Sequence, residues 1–261
     1  MRKPTAVALG AVSGLLSGLL GIGGGLVVGP ALLLGGFPAG RAFGTALWVV
    51  APVAFIAVIA GTISTPGNCD WLVALLIALG GQLGAPFGAR ALVNMTEGGL
   101  RKLFIFFLVY IALRNLGVFG GGDVAGIEAQ LEGMWVYVVA LALGGLAGVT
   151  SSLFGVGGGV VVVPGLLLAI GGFSFPAAAA TSLAAMVPTA LRGAWLARSQ
   201  RRLDYEAVKL LAPVAAGAAI VAVWLRDWVV GQEFLNITFA SFLLFAALML
   251  WRRAPGKTPT I

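Results

Sequence analysis

The sequence predicts an all-α polytopic membrane protein of two inverted structural repeats, each with a glycine-broken re-entrant hairpin plus about three transmembrane helices. Three observations support this fold class: the composition, a glycine motif that occurs twice, and the distribution of lysine and arginine. Hydrophobic types make up 60% of the 261 residues and charged types only 10%, against about 25% charged residues in soluble domains. A chain this apolar cannot cover itself with polar surface, and the lipid bilayer is its predicted solvent.

Apolar stretches of helical length follow one another along the chain. Most of them are near the roughly 20 residues that a helix needs to cross a bilayer. Two are too short, residues 26–34 and 160–170, and each follows a cluster of glycines. The other stretches cover residues 5–22, 42–63, 71–93, 100–119, 134–154, 177–197, 207–225 and 234–251.

A motif of glycines followed by a proline indicates an internal duplication. The spacing from Gly21 to Pro30 is repeated without a gap from Gly155 to Pro164, and three leucines follow each motif. Further downstream Thr45 matches Thr181, and Pro52 matches Pro188. We therefore predict a first transmembrane repeat over residues 1–119, a linker over 120–133, a second repeat over 134–253 and a disordered tail over 254–261.

The positive charges favour one of two possible topologies. If each glycine cluster belongs to a helix that simply crosses, the chain has eight passes and five of its 16 Lys and Arg residues lie opposite the N-terminus. If each cluster is instead the tip of a re-entrant hairpin, only Arg114 and Arg226 lie opposite. The positive-inside rule favours the hairpins, with cytoplasmic N- and C-termini in the cell inner (plasma) membrane. An odd number of crossings per half then inverts the second repeat. The eight-pass alternative stays open, because Arg41 and Arg90 can lie within helix ends.

The two glycine clusters are the first candidate for a binding site. Three glycines in a row unwind a helix, and the helix that follows presents free N–H groups and the positive end of its dipole to an anion. Glycine also lets a ligand approach the backbone closely. The alternative is close helix packing through small residues. The predicted substrate-binding glycines are Gly23, Gly24, Gly25, Gly157, Gly158 and Gly159.

Hydroxyl side chains near the clusters are the second candidate. A hydroxyl can donate a hydrogen bond to an oxyanion without carrying charge. Its alternative role is to bond the carbonyl one turn back in its own helix. The predicted residues just before the glycines are Ser17, Ser151 and Ser152, and those in the next helix of each half are Thr45, Thr181 and Ser182.

Other polar residues in the apolar stretches favour structural roles. Gln82 is predicted to bond a neighbouring helix, while Arg114 and Arg192 either meet an anion or extend to the membrane interface. The chain has no histidine and a single cysteine, so the usual nucleophile, general-base and metal-ligand patterns are absent. No stretch holds a convincing buried acid for a proton relay. We predict no enzyme activity, no catalytic residue, no bound metal and no cofactor.

These motifs resemble the sulfite exporter TauE/SafE family of membrane permeases. The resemblance rests on the paired glycine–proline motifs, on residues 42–47 and 179–183 as a second repeated element, and on residues 84–90 as a third. It covers nearly the whole chain and weakens after residue 207, where the third element is reduced to Ala-Gly-Ala-Ala at 216–219. The resemblance implies transport of sulfite, sulfonates or related sulfur-containing anions.

Together these features predict a membrane transporter, an exporter, of a small sulfur-containing oxyanion such as sulfite or an organosulfonate. Its expected partners are that anion and the lipid bilayer, and no nucleic acid, because the net charge of +7 is spread over short loops. Another small organic anion is the nearest alternative. A non-transporting membrane protein or an intramembrane enzyme is the alternative from another class. The sequence leaves the oligomeric state open.

Overall fold

The fold is given by a computed structural model that describes residues 3–115, 133–170, 172–229 and 231–252. These residues form helices joined by short loops, and no strand occurs among them. The first half contains α1 (Lys3–Leu20), α2 (Gly25–Leu34), α3 (Ala39–Ser64), α4 (Trp71–Asn94) and α5 (Glu97–Asn115). The second half contains α6 (Met134–Phe154), α7 (Gly159–Gly165, continued as a π-helical turn over Leu166–Ile170), α8 (Phe175–Ser199), α9 (Tyr205–Val229) and α10 (Gln232–Arg252).

Among the described residues, each predicted apolar stretch overlaps one of these helices, so the all-helical prediction is confirmed there. The length of the apolar stretches was sufficient for this, because an apolar stretch in a bilayer has to satisfy its backbone internally as a helix. The predicted tail and all of the predicted linker except Gly133 lie outside the described residues.

Glycine interrupts the first helix of each half at the same point of the repeat. α1 stops at Leu20 and α6 at Phe154, one residue before each cluster begins. Left-handed backbone angles, which residues with a Cβ rarely adopt, then turn the chain into α2 and α7. The glycines with positive φ are Gly21, Gly23 and Gly24 in the first cluster and Gly155, Gly157 and Gly158 in the second.

Four described helices are long and apolar enough to cross a bilayer: α3, α4, α6 and the Tyr205–Arg226 part of α9. Their outer faces are apolar as well. On α4 the exposed side chains recur at every fourth position, which places them on one face of the helix. They are Trp71, Leu75, Leu79, Leu83 and Phe87. Such a surface suits lipid as its solvent.

The closest packing in the bundle joins α4 to α6 and α1 to α9. Small residues let the backbones touch. A Cβ on Gly84 would overlap the carbonyl oxygen of Gly145, and one on Gly14 would overlap the carbonyl oxygen of Ala215. α3 and α8 lie against each other between these pairs, with α9 also on α3 and α4 also on α8. The same contacts therefore recur when the two halves are exchanged.

Six of the helices, α1, α3, α4, α6, α8 and α9, each begin at one of two opposite ends of the bundle. Gly10, Gly14 and Gly18 adjoin Leu211, Ala215 and Ala219 in order, so α1 and α9 run in parallel. Gly80, Gly84 and Gly88 adjoin Leu141, Gly145 and Val149 in order, so α4 and α6 run in parallel too. α1, α3 and α9 begin at the end that holds loop 200–204, which we call the α8–α9 end. α4, α6 and α8 begin at the end that holds loop 65–70, the α3–α4 end.

Basic side chains concentrate at the α8–α9 end. An ion pair joins Arg41 to Asp204 there, with a distance of 3.6 Å between Nη2 and Oδ2. The exposed cations at this end include Arg41, Arg90, Arg198, Arg201 and Lys209. At the α3–α4 end the structure describes Asp70 in the loop and Arg226 near the end of α9.

We expect Gly84→Ala to lower stability and Gly145→Ala to leave it unchanged or raise it. The Gly84 methyl group would overlap the facing backbone, and overpacking typically costs about 1–3 kcal/mol. Nothing lies within 4 Å of a Cβ on Gly145, and alanine favours a helix over glycine by up to about 1 kcal/mol. Thermal unfolding of both variants in detergent measures the difference, and equal shifts of the melting temperature would contradict this packing.

Candidate functional site

The two glycine clusters meet inside the protein. A Cβ on Gly25 would overlap the carbonyl oxygen of Gly155, and one on Gly159 would lie 2.6 Å from the carbonyl oxygen of Gly21. The backbone of each cluster is therefore in direct contact with the other, although the two are far apart in sequence. The six predicted glycines lie together in one region, at the start of α2 and of α7.

Val50 and Met186 lie between the clusters. A Cβ on Gly23 or on Gly157 would meet the same two atoms, Cε of Met186 and Cγ1 of Val50. Both side chains are buried. They come from the middle of α3 and of α8. Neither was predicted from the sequence, because an apolar residue in an apolar helix carries no distinguishing local signal.

Three of the predicted hydroxyls are buried with no hydrogen-bond partner among the described residues: Ser17, Ser151 and Ser152. Ser17 and Ser151 are wholly buried, and Ser152 is 4% exposed. A buried donor without a partner costs free energy, commonly about 1–3 kcal/mol. The expected alternative, a bond to the preceding turn, is not formed by these three. It is formed by Thr150, whose hydroxyl donates to the carbonyl of Leu146.

Two buried serines donate to carbonyls of the first cluster. The Ser182 hydroxyl donates to the Gly21 carbonyl at 3.1 Å and reaches across from α8 in the second half. The Ser13 hydroxyl donates to the Gly24 carbonyl at 3.0 Å. Ser182 was a predicted binding residue, but in this structure its hydroxyl donates to the Gly21 carbonyl. Ser13 was not predicted. Its position one turn before Ser17 is the one feature of the sequence that could have indicated a contact with the cluster.

Thr45 and Thr181 hold loops of the opposite half. The Thr45 hydroxyl accepts the N–H of Asp204 at 3.0 Å, and the Thr181 hydroxyl accepts the N–H of Asp70 at 3.1 Å. Both aspartates then cap the helix that follows, α9 and α4 respectively. Each threonine hydroxyl is thus bonded to a backbone N–H at the start of a helix, outside the glycine clusters. A contact between these hydroxyls and a substrate remains a prediction.

The other polar residues singled out in the sequence, Gln82, Arg192 and Arg114, have different outcomes. The Gln82 side chain donates to the carbonyl of Pro188 at 2.7 Å, which confirms the predicted bond between helices. Arg192 is exposed on α8. The side chain of Arg114 lies outside the described residues.

A pocket opens at the α3–α4 end. Its polar lining comprises Thr62, Thr65, Asn68, Cys69 and Arg226. Burial raises the pKa of the Cys69 thiol to about 11. The hydrogen bond with Thr181 lowers this pKa, and the nearby charge of Asp70 raises it.

The raised pKa predicts slow alkylation of Cys69, because the thiolate is the reactive form. At pH 8 a thiol with a pKa of about 11 is ionised roughly 100-fold less than one at the ordinary value of 9.0. The rate of labelling by N-ethylmaleimide should rise about tenfold per pH unit up to about pH 11. Asp70→Asn removes the neighbouring negative charge and should speed labelling at pH 8. A rate that levels off near pH 9 in the wild type would contradict the shift.

Comparison with known proteins identifies the family. The profile described as sulfite exporter TauE/SafE matches residues 1–115 and 140–260. A probable membrane transporter protein of Methanocaldococcus jannaschii is 29% identical over 197 residues, 73% of this chain and 70% of that protein. Two probable membrane transporter proteins of Xylella fastidiosa strains are 31% and 30% identical over 165 residues, 62% of this chain and of each relative. No solved structure matches significantly. The chain is an integral membrane protein that belongs to the sulfite exporter TauE/SafE family of membrane transporters.

Proposed function

We propose that this protein exports a small sulfur-containing oxyanion, sulfite or an organosulfonate, and binds it where the two glycine clusters meet. The observation that carries the proposal is a pair of wholly buried hydroxyls beside the touching clusters, those of Ser17 and Ser151, which have no hydrogen-bond partner in the part of the chain that the structure describes. The family's name supports the substrate class. The relatives, named only as membrane transporters, support transport in general.

The chemistry of the clusters suits a transported anion. The start of α2 offers N–H groups and a helix dipole, and each serine hydroxyl adds an uncharged donor. A site built from neutral donors attracts an oxyanion without holding it as an ion pair would. Release on the far side is then possible, which a transporter requires.

We further propose that the halves are inverted repeats, each with a glycine-broken re-entrant hairpin. The directions of the helices support this. α1 and α3 begin at the same end, so α2 has to return between them. α6 and α8 both begin at the other end, so the π-helical extension of α7 returns in the opposite sense. Such repeats place a binding site near the midplane in several transporter folds.

Val50 and Met186 have to move if the anion passes between the clusters. Their side chains occupy the space between Gly23 and Gly157. Met186 can withdraw by rotating its flexible side chain, whereas Val50 is stiff at χ1 and depends on a shift of α3. We infer that the structure represents a closed state and that α3 and α8 separate during transport.

Export is favoured by the membrane potential, which is negative inside. A potential of 100 mV is worth about 2.3 kcal/mol per elementary charge. For a monovalent anion this is an outward bias of about 50-fold. The proposed export therefore needs no coupled ion.

Flux of radiolabelled sulfite in proteoliposomes, with a potential imposed by valinomycin, tests the proposed site. Ser17→Ala and Ser151→Ala should each raise the KM about three- to tenfold, because each loses one hydrogen bond to the anion. Neither variant should lower the melting temperature, since neither hydroxyl bonds another group among the residues described. The matched control is Ser199→Ala, which removes an exposed hydroxyl that bonds the Leu196 carbonyl.

An unchanged KM in both variants, beside normal wild-type flux, would exclude these hydroxyls from the site. Flux of a carboxylate but of no sulfur anion would favour the alternative substrate class. Absence of flux for every anion tested would favour a non-transporting protein.

Labelling of whole cells tests the proposed topology, in which both termini are cytoplasmic and the α3–α4 end faces outward. A membrane-impermeant maleimide at pH 8.5 should label Cys69, the single cysteine. In a Cys69→Ser, Ser199→Cys variant the exposed thiol at the α8–α9 end should be labelled only after the cells are permeabilised. The opposite pattern would overturn the proposed orientation and, with it, the positive-inside argument.

A further inference from the structure

Val50 and Met186, here called the central pair, mark a level in the bundle from which other residues can be placed. Both contact Gly23 and Gly157, one glycine of each cluster. α3 begins at the α8–α9 end and α8 begins at the α3–α4 end, so the two helices run in opposite directions past this level. A residue that precedes Val50 on α3, or follows Met186 on α8, is therefore nearer the α8–α9 end. A residue on the other side of the pair is nearer the α3–α4 end.

Ser17 lies on the α3–α4 side of the central pair. One turn earlier on α1, the Ser13 hydroxyl donates to the carbonyl of Gly24, which is level with the pair. Because α1 runs toward the α3–α4 end, Ser17 is four residues, or about 6 Å, beyond that level. A contact with α8 agrees with this placement. The Ser17 carbonyl accepts the N–H of Gly21, and Gly21 adjoins Ala179, an early residue of α8.

Ser151 lies on the opposite side of the central pair. A Cβ on Gly158 would lie 3.0 Å from the Cβ of Ala147, so Ala147 is level with the pair. Because α6 runs toward the α8–α9 end, Ser151 is four residues, or about 6 Å, beyond that level in the other direction. A contact of the next residue agrees. A Cβ on Gly193, a late residue of α8, would lie 3.3 Å from Oγ of Ser152.

The two unpartnered hydroxyls are therefore about 12 Å apart along the bundle axis, the sum of the two steps of about 6 Å. A hydrogen bond spans about 3 Å between its heavy atoms, and a sulfite ion or a sulfonate group is much smaller than the distance that remains. The side chains of the central pair also lie between the two hydroxyls. One anion thus cannot accept from Ser17 and Ser151 at the same time.

We infer that the proposed site consists of two separate anion positions, an inner one at Ser151 and Ser152 and an outer one at Ser17. This inference rests on the proposed function and deepens it. The inner position is on the α8–α9 side of the central pair, and the outer position is on the α3–α4 side. A sulfite ion or a sulfonate group occupies them in turn as α3 and α8 separate.

The inner position offers more donors than the outer one. Ser152 is 4% exposed, and its hydroxyl has no hydrogen-bond partner among the described residues. Its matched residue in the first half is Gly18, where a Cβ would lie only 2.6 Å from the Ala219 carbonyl oxygen, so the outer position has no second hydroxyl. The three oxygens of a sulfonate point in different directions, so one anion can accept from both inner serines. Stronger binding at the inner position suits loading from the cytoplasm and release outside.

Sided labelling of single cysteines tests the two positions without a measurement of transport. In a Cys69→Ser background, Ser17→Cys and Ser151→Cys each replace a hydroxyl by a thiol. The probe is 2-sulfonatoethyl methanethiosulfonate, an impermeant thiol reagent that carries a sulfonate, applied to right-side-out and to inside-out membrane vesicles. Ser17→Cys should react only from the face that labels Cys69 of the wild type. Ser151→Cys should react only from the face that labels a Ser199→Cys control.

Protection by methanesulfonate tests whether an anion occupies these positions. At constant ionic strength, saturating methanesulfonate should slow the reaction of Ser17→Cys and of Ser151→Cys at least threefold, each on its own face. It should leave the exposed Ser199→Cys control unchanged. Ser152→Cys is the second variant for the inner position if Ser151→Cys does not fold.

Flux of radiolabelled sulfite into the two kinds of vesicle measures the affinity from each face. Ser151→Ala and Ser152→Ala should each raise the KM about three- to tenfold in inside-out vesicles, because each loses one hydrogen bond at the inner position. In right-side-out vesicles their KM should stay at the wild-type value. Ser17→Ala should show the reverse pattern, and Ser199→Ala should change neither KM.

Three results would overturn the inference: reaction of both engineered thiols from the same face, reaction of neither from either face, or labelling that methanesulfonate does not slow. Equal increases of the KM from both faces in Ser17→Ala and Ser151→Ala would indicate one shared position, and would overturn the inference while leaving the proposed function standing. Protected labelling from opposite faces, in a protein that moves no anion, would support the two positions and refute the proposed function.

Discussion

The backbone contact between the two glycine clusters joins the two halves of the protein and limits how closely their helices can pack. Four helices, α1, α2, α6 and α7, end or begin at this contact. Gly25 lies against the Gly155 carbonyl and Gly159 against the Gly21 carbonyl, so a side chain at either glycine would push the halves apart. The left-handed turns just before these residues also require glycine. One short motif therefore sets where the first helix of each half stops and how closely the halves approach.

Each half also depends on the other for the start of one of its helices. Thr45 holds the loop before α9, and Thr181 holds the loop before α4, through bonds to the N–H groups of Asp204 and Asp70. Because these bonds are reciprocal, a shift of α3 or of α8 in one half loosens the start of a helix in the other half. Together with the α3–α8 contact, these bonds join the two halves at the centre of the bundle.

Differences between the halves point to function more strongly than their similarities. Val50 in one half faces Met186 in the other across the clusters. Ser13 bonds the first cluster, while the matched place near Gly158 is occupied by Ala147. Arg226 has no counterpart in the first half, where Leu92 stands at the matched position of α4. A fold held by duplicated contacts can tolerate such changes, so the two halves can present different side chains to the proposed transport pathway.

The positions of the helices and of the two glycine breaks could be predicted from the amino-acid sequence alone. Both follow from local properties: apolar length in a bilayer, and the conformations that glycine alone adopts easily. The sequence also marked Ser17 and Ser151 as unusual, because hydroxyls beside a break in an apolar helix are visible in it. The bond from Gln82 could be predicted as a type of contact but not by partner, since the Pro188 carbonyl belongs to a distant helix.

The contacts between residues of the two halves could not be predicted in this way, because they depend on the tertiary structure. It brought Val50 and Met186 between the clusters, gave Thr45 and Thr181 partners at helix starts, and buried Arg226 beside the Gly18 carbonyl in a pocket with Cys69. Each of these results depends on how two helices far apart in the chain are packed. Such packing is set by the fit of whole surfaces, a property that no single segment of the sequence contains.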